Sequence, residues 1–559
     1  MTATLMKHNR WRTIRASVLG GVLAASATSA CASGTSTSGP VALPGATTPA
    51  TDPQRGGRIT YAIESEPNGL DPSKNGWDVS AQLIAHAIYD PLVAYDVDGK
   101  PQPYLLESFA PNADATVWTL TVRDKVKFHD GSPLDAEALM RWSSALRTSA
   151  ITGPGAVLVT DVVKRGPRTV EATMSRPWAT FPSLLTNQTG MVIATKQADD
   201  PNGSINPVGT GPFRLKEWDI GTKVVLERNN DYWRAGLPYL DQVDFRSVGD
   251  RQSRLSMVET GEVDVTHLND FQSMDRAKGL TESKKIQIER DTRTTEPAFI
   301  AFNTESGPLA DRRVREALVL ATDKQKLATL GGWPADKLIT DRIFSPENPL
   351  APPTDVPTAD ASRARTLIDD YTRDVGPVAV TLTSVSDPVS LAVTQAIRAD
   401  WEAVGATVTV ETLEEKALVI RAVIGTYEAI SFRYFGAYDP DGNFTFFSGL
   451  TKKPSREISL NFTRFADDRI DQAIADSQRT TDPTVRKEAY QRLYQRLTDE
   501  SVFLWLYRSE WVTLAQRRVR DLRNVKLPDG AAAMSRTGGL HRLTETWIDP
   551  LADATPPKR

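Results

Sequence analysis

The chain has 559 residues, which is enough for more than one domain at about 100–200 residues per domain. Hydrophobic residues make up 40% and charged residues 24%, as in an ordinary soluble globular protein, and the formal net charge is -4. No long basic block follows the first 20 residues, so we expect no nucleic-acid partner. The single cysteine excludes an internal disulfide, and none of the five histidines has the spacing of a zinc helix. We therefore predict no metal site, no cofactor and no catalytic residue.

The first 30 residues have the pattern of a secretory signal. An uncharged run over residues 16–30, rich in small residues, follows a cluster of basic residues: Lys7, Arg10, Arg12 and Arg15. The run is shorter than the roughly 20 apolar residues that a membrane-spanning helix needs. A positive start, a short apolar middle and a small-residue end predict a signal peptide over residues 1–30, which is not part of the fold.

The only cysteine, Cys31, stands directly after the small residues of this segment. The sequence Thr28-Ser29-Ala30-Cys31 resembles a bacterial lipobox, with Thr28 where leucine is usual, and the resemblance implies that Cys31 is lipidated. The alternative is a plain secretory signal with an incidental cysteine. Residues 31–55 are mostly Ser, Thr, Gly, Ala and Pro, a composition that cannot bury a core and that predicts a flexible tether.

Two strands and two helices can be predicted from periodicity in chain order. Trp118, Leu120 and Val122 alternate with polar residues and predict a half-buried strand, and a second strand is expected at 223–228. Asp311 can cap a helix that carries an apolar stripe. Asp482-Pro483 predicts a second helix start, with apolar residues following at four-residue spacing: Val485, Ala489, Leu493 and Leu497.

Residues 378–412 are the most informative for topology. Alternating apolar residues predict a strand, a helix follows with Trp401 on its apolar stripe, and Val408 and Val410 begin another strand. Gly405 suits the C-terminal cap of the helix. A strand, a helix and a strand with short links predict a parallel crossover in an α/β lobe.

Several further motifs follow one another in a fixed order. They are Glu66-Pro67-Asn68-Gly69-Leu70-Asp71-Pro72, Tyr89-Asp90-Pro91-Leu92-Val93, Pro103-Tyr104-Leu105-Leu106-Glu107-Ser108-Phe109, Val126-Lys127-Phe128-His129-Asp130-Gly131, Pro207-Val208-Gly209-Thr210-Gly211-Pro212-Phe213, Leu226-Glu227-Arg228-Asn229-Asn230-Asp231-Tyr232-Trp233, Asp311-Arg312-Arg313-Val314-Arg315-Glu316-Ala317-Leu318 and Tyr438-Asp439-Pro440-Asp441. Together they resemble the family 5 extracellular solute-binding proteins, the oligopeptide and dipeptide receptors of ABC importers. The resemblance covers about residues 58 to 520.

The resemblance implies an α/β, two-lobe fold like that of periplasmic binding proteins, of type II and with an extra subdomain, whose lobes are joined by a hinge. Lobe I is expected at 56–300, lobe II at 301–507, and a return to lobe I with a C-terminal tail at 508–559. The implied function is capture of short peptides for ABC permease subunits by a monomeric lipoprotein anchored on the outer face of the cytoplasmic membrane.

Two motifs suggest chemistry but are better explained by structure. Gly209-Thr210-Gly211-Pro212 predicts a tight turn before a strand, because the spacing of a phosphate-binding loop is missing. In the family, the motif that contains His129 is a structural strand end, and we expect this histidine to satisfy a hydrogen bond.

The resemblance places two segments against the ligand. One is Asn75-Gly76-Trp77-Asp78, and the opposing one is Arg433-Tyr434-Phe435-Gly436, followed by Tyr438 and Asp439. An extended ligand can add as a strand between such segments, so that main-chain hydrogen bonds supply the affinity. Alternatives remain for both, since Asn75-Gly76 is also an ordinary turn dipeptide and the aromatic residues near Tyr434 could form lobe core.

One departure from the family pattern affects the choice of ligand. Peptide receptors of this family usually carry an aspartate that pairs with the ligand's amino terminus, and here the matching position is Gly436 or Ala437. Because a buried ammonium needs a counter-ion, either Asp439, Asp441 or Asp78 replaces it, or the ligand has no free amine there. Arg433, near the usual tryptophan position, could instead favour a carboxylate. Glutathione-like, oligosaccharide, opine and metal-chelate ligands stay open.

Two other functions compete with this one. An exported hydrolase is disfavoured because the sequence lacks a nucleophile elbow, a usable cysteine and a zinc helix. A binding-fold lipoprotein that acts as an envelope sensor or assembly factor, without transport, stays open.

The lipid anchor gives a first testable expectation. Replacing Cys31 with Ala removes the acceptor thiol, so Cys31→Ala is expected to abolish retention of the protein in membranes. Fractionation of cell envelopes measures this, with the wild-type chain as the comparison. A variant that still sediments with membranes would show that the anchor assignment is wrong.

Overall fold

The computed structural model describes residues 52–434, 436–550 and 552. The predicted signal peptide (1–30), Cys31 and most of the predicted tether (31–55) lie outside the described residues, as does Phe435. Within the described ranges, no helix is both long and apolar enough to cross a membrane.

A seven-stranded mixed sheet forms the core of what we call the first lobe. Its strands, in spatial order, are Ile286–Arg290, Val512–Gln516, Val265–Leu268, Arg58–Ile63, Gln242–Ser247, Lys223–Arg228 and Phe213–Asp219. The strand Arg58–Ile63 pairs in parallel on both sides, with Gln242–Ser247 and Val265–Leu268, and packs in one apolar cluster with helix Val79–Ile88. The strand predicted at Lys223–Arg228 is confirmed.

A five-stranded sheet forms the core of the second lobe. Its strands, in spatial order, are Thr407–Leu413, Ala379–Val385, Ala429–Arg433, Glu296–Phe302 and Phe503–Ser509. The predicted limits at 300/301 and 507/508 fall inside two of these strands. The predicted domain ranges stay a prediction.

The crossover predicted over residues 378–412 is confirmed. Strand Ala379–Val385 pairs in parallel with strand Thr407–Leu413, and helix Pro388–Ala403 connects them. Trp401 is fully buried beneath the sheet, and Gly405 follows the helix with a φ of 106°, a conformation that glycine adopts without strain.

A four-stranded antiparallel sheet forms what we call the small subdomain, residues 106–184. Its strands, in spatial order, are Leu106–Pro111, Val117–Val122, Thr169–Met174 and Val159–Lys164. The predicted strand at 117–122 is confirmed, and its alternate residues Trp118, Leu120 and Val122 are buried.

The helices and short strand pairs complete the described part of the chain. The α-helices are Val79–Ile88, Ala136–Thr148, Phe181–Leu184, Thr195–Asp199, Arg251–Thr260, Phe271–Glu282, Arg312–Ala321, Lys324–Gly331, Ala361–Asp374, Pro388–Ala403, Glu415–Ile424, Asp468–Gln478 and Pro483–Asp499. Single turns of 3₁₀ helix lie at Gly153–Ala156, Gln188–Gly190, Pro308–Ala310, Ala335–Lys337 and Gly449–Thr451, with a longer one at Pro440–Phe446. The two-stranded pairs are Val93–Tyr95 with Pro101–Pro103, Val519–Arg520 with Trp547–Ile548, and Arg536–Thr537 with Leu540–His541.

Both predicted helix caps are confirmed. Asp311 accepts from the amide of Arg313, and Asp482 accepts from the amides at the start of Pro483–Asp499. The apolar stripe of the second helix differs from prediction at Val485, which is 45% exposed. A four-residue step turns an α-helix by about 400°, so a stripe at strict four-residue spacing drifts about 40° per step and its first member leaves the buried face.

Within the residues that the structure describes, the chain crosses between the two lobes twice. Residues 291–295 join a strand of the first sheet directly to a strand of the second, and residues 510–511 lead back. The described N-terminal end also belongs to the first lobe, because the amide of Gly57 donates to Asp241 at 3.0 Å and Gly57 lies beside Ile548. Residues 519–548 therefore close the first lobe around the entry point of the chain.

The Gly209-Thr210-Gly211-Pro212 segment bends just before strand Phe213–Asp219, where the sequence predicts a tight turn, and His129 holds it. A Cβ on Gly209 would lie 2.2 Å from the carbonyl oxygen of Ile88, so this position needs glycine. His129 Nε2 donates to the Gly211 carbonyl at 3.1 Å, and its Nδ1 accepts from the Gly209 amide at 3.3 Å. Burial lowers the pKa of His129 to about 4, although the Gly211 carbonyl partly opposes this. The predicted structural role of this histidine is confirmed.

His129 gives a pH-dependent stability prediction. Its folded pKa lies below its unfolded value near 6.5, so its contribution is complete above pH 6.5 and is lost as the pH falls toward 4. Glutamine keeps a donor and an acceptor but does not titrate. The difference in free energy of unfolding between the wild type and His129→Gln is expected to shrink by about 2 kcal/mol between pH 7.5 and 5. Urea unfolding followed by tryptophan fluorescence measures it, and a difference that stays constant with pH would contradict the assignment.

Candidate functional site

The two lobes meet along what we call the seam. Its members come from the second lobe and from the C-terminal return to the first lobe: Arg433, Gly436, Tyr438, Trp511, Met534, Gly538 and Gly539. Tyr438 packs with Met534 and Tyr95 in one apolar cluster. A Cβ on Gly539 would lie 2.9 Å from the Trp511 ring, and that ring faces the guanidinium of Arg433 at 5.9 Å. The described residues Arg433, Gly436 and Tyr438 therefore lie beside the first lobe or the crossings to it.

Arg433 is the centre of a charged group on the seam. Its Nε lies 3.3 Å from the carboxylate of Glu296, which is almost fully buried, and its Nη2 lies 3.9 Å from exposed Glu415. Burial alone would lower the pKa of Arg433, but Glu296, Glu64 and Glu415 together hold it above its usual range. Burial raises the pKa of Glu296, and Arg433 opposes this rise most strongly.

Asp78 brings the first lobe into the same charged group. It caps helix Val79–Ile88 by accepting from the Ala81 amide at 2.8 Å, and it accepts a second bond from the Ser65 hydroxyl. The side chain reaches solvent, yet desolvation by the surrounding protein raises its pKa; the hydrogen bonds from Ala81 and Ser65 oppose this rise, and Arg433 opposes it more weakly. Asp78 and Arg433, each predicted from the sequence to line the ligand, are thus within electrostatic range of each other across the seam.

Carboxylates outnumber cations in this charged group, which we call the acid group. Its carboxylates are Glu64, Asp78, Glu296 and Glu415, and the guanidinium groups within electrostatic range of them are Arg251, Arg254 and Arg433. Asp250 and Asp270 lie in range of Arg254 as well and add to the negative charge. An added ammonium would offset this negative charge, and because three of the acid-group carboxylates reach solvent, the arrangement favours a cation that arrives from solvent.

The segment before helix Val79–Ile88 follows a turn at residues 72–74. Asn75 Oδ1 accepts from the Asp71 amide at 3.0 Å and so ties the segment to that turn, but Asn75-Gly76 itself forms no turn. Trp77 is 5% exposed and donates from Nε1 to the Gly69 carbonyl at 3.0 Å. Gly76 is exposed, with open space around its α-carbon. Gly76 and Asp78 are the exposed residues of this segment, and the ligand role of the whole segment stays a prediction.

Tyr434 and Gly436 are packed against protein. Tyr434 is fully buried, with Phe446 at 4.3 Å and Phe299 at 4.5 Å between ring centroids. This placement agrees with the alternative of lobe core. A Cβ on Gly436 would lie 2.8 Å from Thr294, so this glycine sits against the first crossing between the lobes. Phe435, between them, lies outside the described residues.

Tyr438 and Asp439 lie in a buried junction. Tyr438 donates from Oη to the Asp98 carbonyl at 3.2 Å, and Arg293 faces its ring at 5.5 Å. Asp439 accepts from Arg486 at 3.0 Å and from Ser183 at 3.2 Å. Burial would raise the pKa of Asp439, but Arg486 lowers it below its usual value. The predicted ligand contacts of both residues stay predictions.

Asp441 adds to this junction, which we call the polar clamp: Asp439, Asp441, Arg486, Trp178, Thr180 and Ser183. Asp441 accepts from Trp178 Nε1 at 2.8 Å and from Thr180 Oγ1 at 2.5 Å. The clamp joins the small subdomain to the second lobe through fully buried polar bonds. Burial and the neighbouring Asp439 raise the pKa of Asp441.

Sequence reasoning missed several members of these groups. Glu64 follows a strand end and Glu415 is an acid in the first turn of a helix, and both positions are common for solvated carboxylates. Arg486 lies 47 residues from Asp439, so no local pattern pairs them. A cavity of about 610 Å³, lined by Arg123 and Lys526, lies away from the seam.

Comparison with known proteins gives a consistent picture. Residues 100–455 match the family model described as bacterial extracellular solute-binding proteins, family 5 middle. The chain is 28% identical to the nickel-binding periplasmic protein of Escherichia coli K12 over 447 residues, which are 76% of this chain and 84% of that protein. It is 28% identical to the glutathione-binding protein GsiB of Salmonella paratyphi A over 281 residues, which are 48% of this chain and 52% of that protein.

A solved structure shares the fold. The oligopeptide-binding protein AppA from Bacillus subtilis, in complex with a nonapeptide, superposes with a TM-score of 0.73. The match covers 89% of this chain and all of the other, at 19% sequence identity. The expected two-lobe α/β fold is confirmed.

The polar clamp predicts a large effect on stability. Arg486→Met leaves the buried carboxylate of Asp439 without its counter-ion, so we expect the free energy of unfolding to fall by about 3–5 kcal/mol. The double variant Arg486→Met, Asp439→Asn has no unpaired carboxylate at position 439, so it should recover part of the lost free energy of unfolding. Chemical unfolding measures both.

The matched control lies on the same helix. Arg492 pairs with Asp476 at 2.7 Å but is 61% exposed, so Arg492→Met should cost about 1 kcal/mol or less. Equal losses at positions 486 and 492 would show that burial of the Asp439 pair does not matter.

Proposed function

Because the chain belongs to the family 5 bacterial extracellular solute-binding proteins, we propose that it captures short peptides outside the cytoplasmic membrane and delivers them to the permease of an ABC importer. It does so without catalysing a reaction, as a monomer held at the membrane by lipid on Cys31. No nucleic acid takes part. The relative whose solved structure holds a nonapeptide supports the peptide class, and the acid group supports the mode of binding.

The acid group is the observation on which the proposal depends. The aspartate usual in peptide receptors of this family is missing at Gly436 and Ala437. Asp78, Glu64 and Glu415 supply carboxylates near the same seam, and Asp78 was one of the replacements that the sequence suggested. A peptide amino terminus placed among them would neutralise the extra negative charge and would not be buried unpaired.

The remainder of the peptide would bind through its backbone. An extended peptide between two protein segments gains main-chain hydrogen bonds whatever its side chains are, which suits a receptor for many sequences. Exposed Gly76 leaves the approach to the backbone open on the first lobe. Closing the lobes over the ligand then removes the peptide from water, which strengthens its electrostatic contacts.

A metal chelate is the second candidate. The relative named as a nickel-binding periplasmic protein is matched over 84% of its length. A chelate would use Arg433 for a ligand carboxylate and would leave the acid group unneutralised. Native mass spectrometry of protein purified from its own envelope separates the two, since peptides give a ladder of masses and a chelate gives one mass.

The peptide amino terminus can be tested directly. Tetra-alanine and N-acetyl-tetra-alanine differ in one charge, so calorimetric titration of the wild type should show a preference of about tenfold or more for the free amine. Asp78→Asn removes the charge and keeps the helix cap, because asparagine is as good a cap as aspartate. We expect this variant to lose most of the preference.

Asp135→Asn is the matched control. Asp135 caps helix Ala136–Thr148 by the same bond, at 2.9 Å to the Ala138 amide, and lies in the small subdomain. This variant should keep the wild-type preference. If the wild type binds both peptides with equal affinity, the proposed site for the peptide amino terminus is wrong. If it binds neither peptide, the proposal that its ligands are peptides is wrong.

A further inference from the structure

A second pocket lies on the first-lobe side of the seam, and we call it the histidine pocket. Its lining includes His86, Tyr95, Asn187, Met534, His541 and Arg542. Tyr95 and Met534 also pack against Tyr438, so the pocket shares a wall with the seam. None of the residues predicted from the sequence to bind ligand lines it.

Two histidines present free polar atoms in this pocket. His541 is 3% exposed, and neither of its ring nitrogens has a hydrogen-bond partner among the described residues. His86 is 8% exposed, and its Nδ1 likewise has none within the described ranges. Burial lowers the pKa of His86 to about 3 and that of His541 far below 6.5, so both rings are neutral at neutral pH. Each neutral ring carries one N–H donor.

Arg542 adds a positive charge and an N–H donor that has no hydrogen-bond partner among the described residues. Its guanidinium lies 4.4 Å from the ring centroid of Tyr104, and its buried Nη1 has no hydrogen-bond partner among the residues that the structure describes. Two carboxylates within electrostatic range of Arg542 have other partners. Asp90 accepts from Trp233 Nε1 at 2.8 Å, and Glu545 pairs with Arg234 at 2.8 Å, although the buried Oε2 of Glu545 has no hydrogen-bond partner among the described residues. Glu545 does not line the pocket, so the pocket itself offers unpaired donors and positive charge.

The size of the pocket limits what can enter. Its enclosed space is about 20 Å³, which is room for one or two water-sized groups. A carboxylate fits this space, whereas a whole peptide does not. A metal ion fits poorly, since the guanidinium of Arg542 would repel it.

Helix Val79–Ile88 separates the histidine pocket from the acid group. Asp78 caps its start and His86 is eight residues further on, so the two positions are about 12 Å apart at ~1.5 Å per residue. An extended peptide advances about 3.3–3.6 Å per residue, so three or four residues span this distance.

From this geometry we infer that the histidine pocket binds the terminal carboxylate of a short peptide, with Arg542, His86 and His541 as donors. The inference rests on the proposed peptide-binding function and deepens it. The peptide would place its amino terminus at the acid group and its carboxylate in the pocket, which selects peptides of three or four residues. A charged donor to a carboxylate gives a stronger hydrogen bond than a neutral pair.

The experiment compares tetra-alanine with tetra-alanine amide by calorimetric titration. The wild type should bind the free acid about 10- to 100-fold more tightly than the amide. In Arg542→Met, which keeps an apolar stem over Tyr104, the ratio should fall close to one. Arg123→Met is the matched control, because Arg123 also faces an aromatic ring, at 5.7 Å from Trp233, but lies outside the pocket, and it should keep the wild-type ratio.

Equal binding of acid and amide by the wild type would overturn the pocket assignment and leave the peptide function intact; this comparison needs no folded variant. If neither peptide binds, the proposed peptide function is wrong. Whether the pocket binds a carboxylate is then tested by comparing the thermal unfolding temperature in acetate with that in chloride at equal ionic strength. If acetate stabilises the wild type but not Arg542→Met, the assignment of the histidine pocket as a carboxylate site is supported. If acetate has no effect, or if phosphate stabilises the wild type and acetate does not, that assignment is wrong.

Discussion

The carboxylate of Asp439 is buried where the small subdomain meets the second lobe, and it stays ionised there because Arg486 lies against it. A charge in such a position must have a partner, since an unpaired one costs several kcal/mol. That requirement fixes the neighbouring groups as well. Asp441 accepts from Trp178 and Thr180 of the small subdomain, so the packing of the two parts is set by hydrogen-bond geometry and not only by apolar contact.

The seam also contains a buried carboxylate with a counter-ion, but there the neighbouring charges do not balance. Arg433 and Glu296 form an ion pair at 3.3 Å, but the carboxylates around them leave negative charge in excess. Toward the other end of helix Val79–Ile88, Arg542 and two neutral histidines leave donors in excess. In the proposed function these two imbalances are complementary to the two ends of a zwitterion, and the helix between them sets its length. The loss of the usual family aspartate would then be a change in where the ammonium is held, not the loss of its recognition.

Much of the fold could be predicted because its signals are local. Asp311 and Asp482 cap helices through bonds to amides two or three residues away, and Trp118 alternates with its own strand neighbours. The site depends on distant partners. Arg486 and Asp439 are 47 residues apart in the sequence, so no local pattern pairs them. A tyrosine such as Tyr434 looks the same in the sequence whether it lines a binding site or is buried in a core. Val485 shows the limit even for helices, since a four-residue rule approximates a turn of 3.6 residues.

The chain enters the first lobe at Gly57, beside Ile548, and the C-terminal strands return to the same place. A pull transmitted through the segment before Gly57 would thus reach the first lobe first, while the second lobe is attached through two short crossings, the seam and the polar clamp. In the proposed function the lipid on Cys31 holds this end of the chain, so the first lobe would be fixed and the second lobe free to move. A partner that senses the position of the second lobe could then do so without disturbing the attached end.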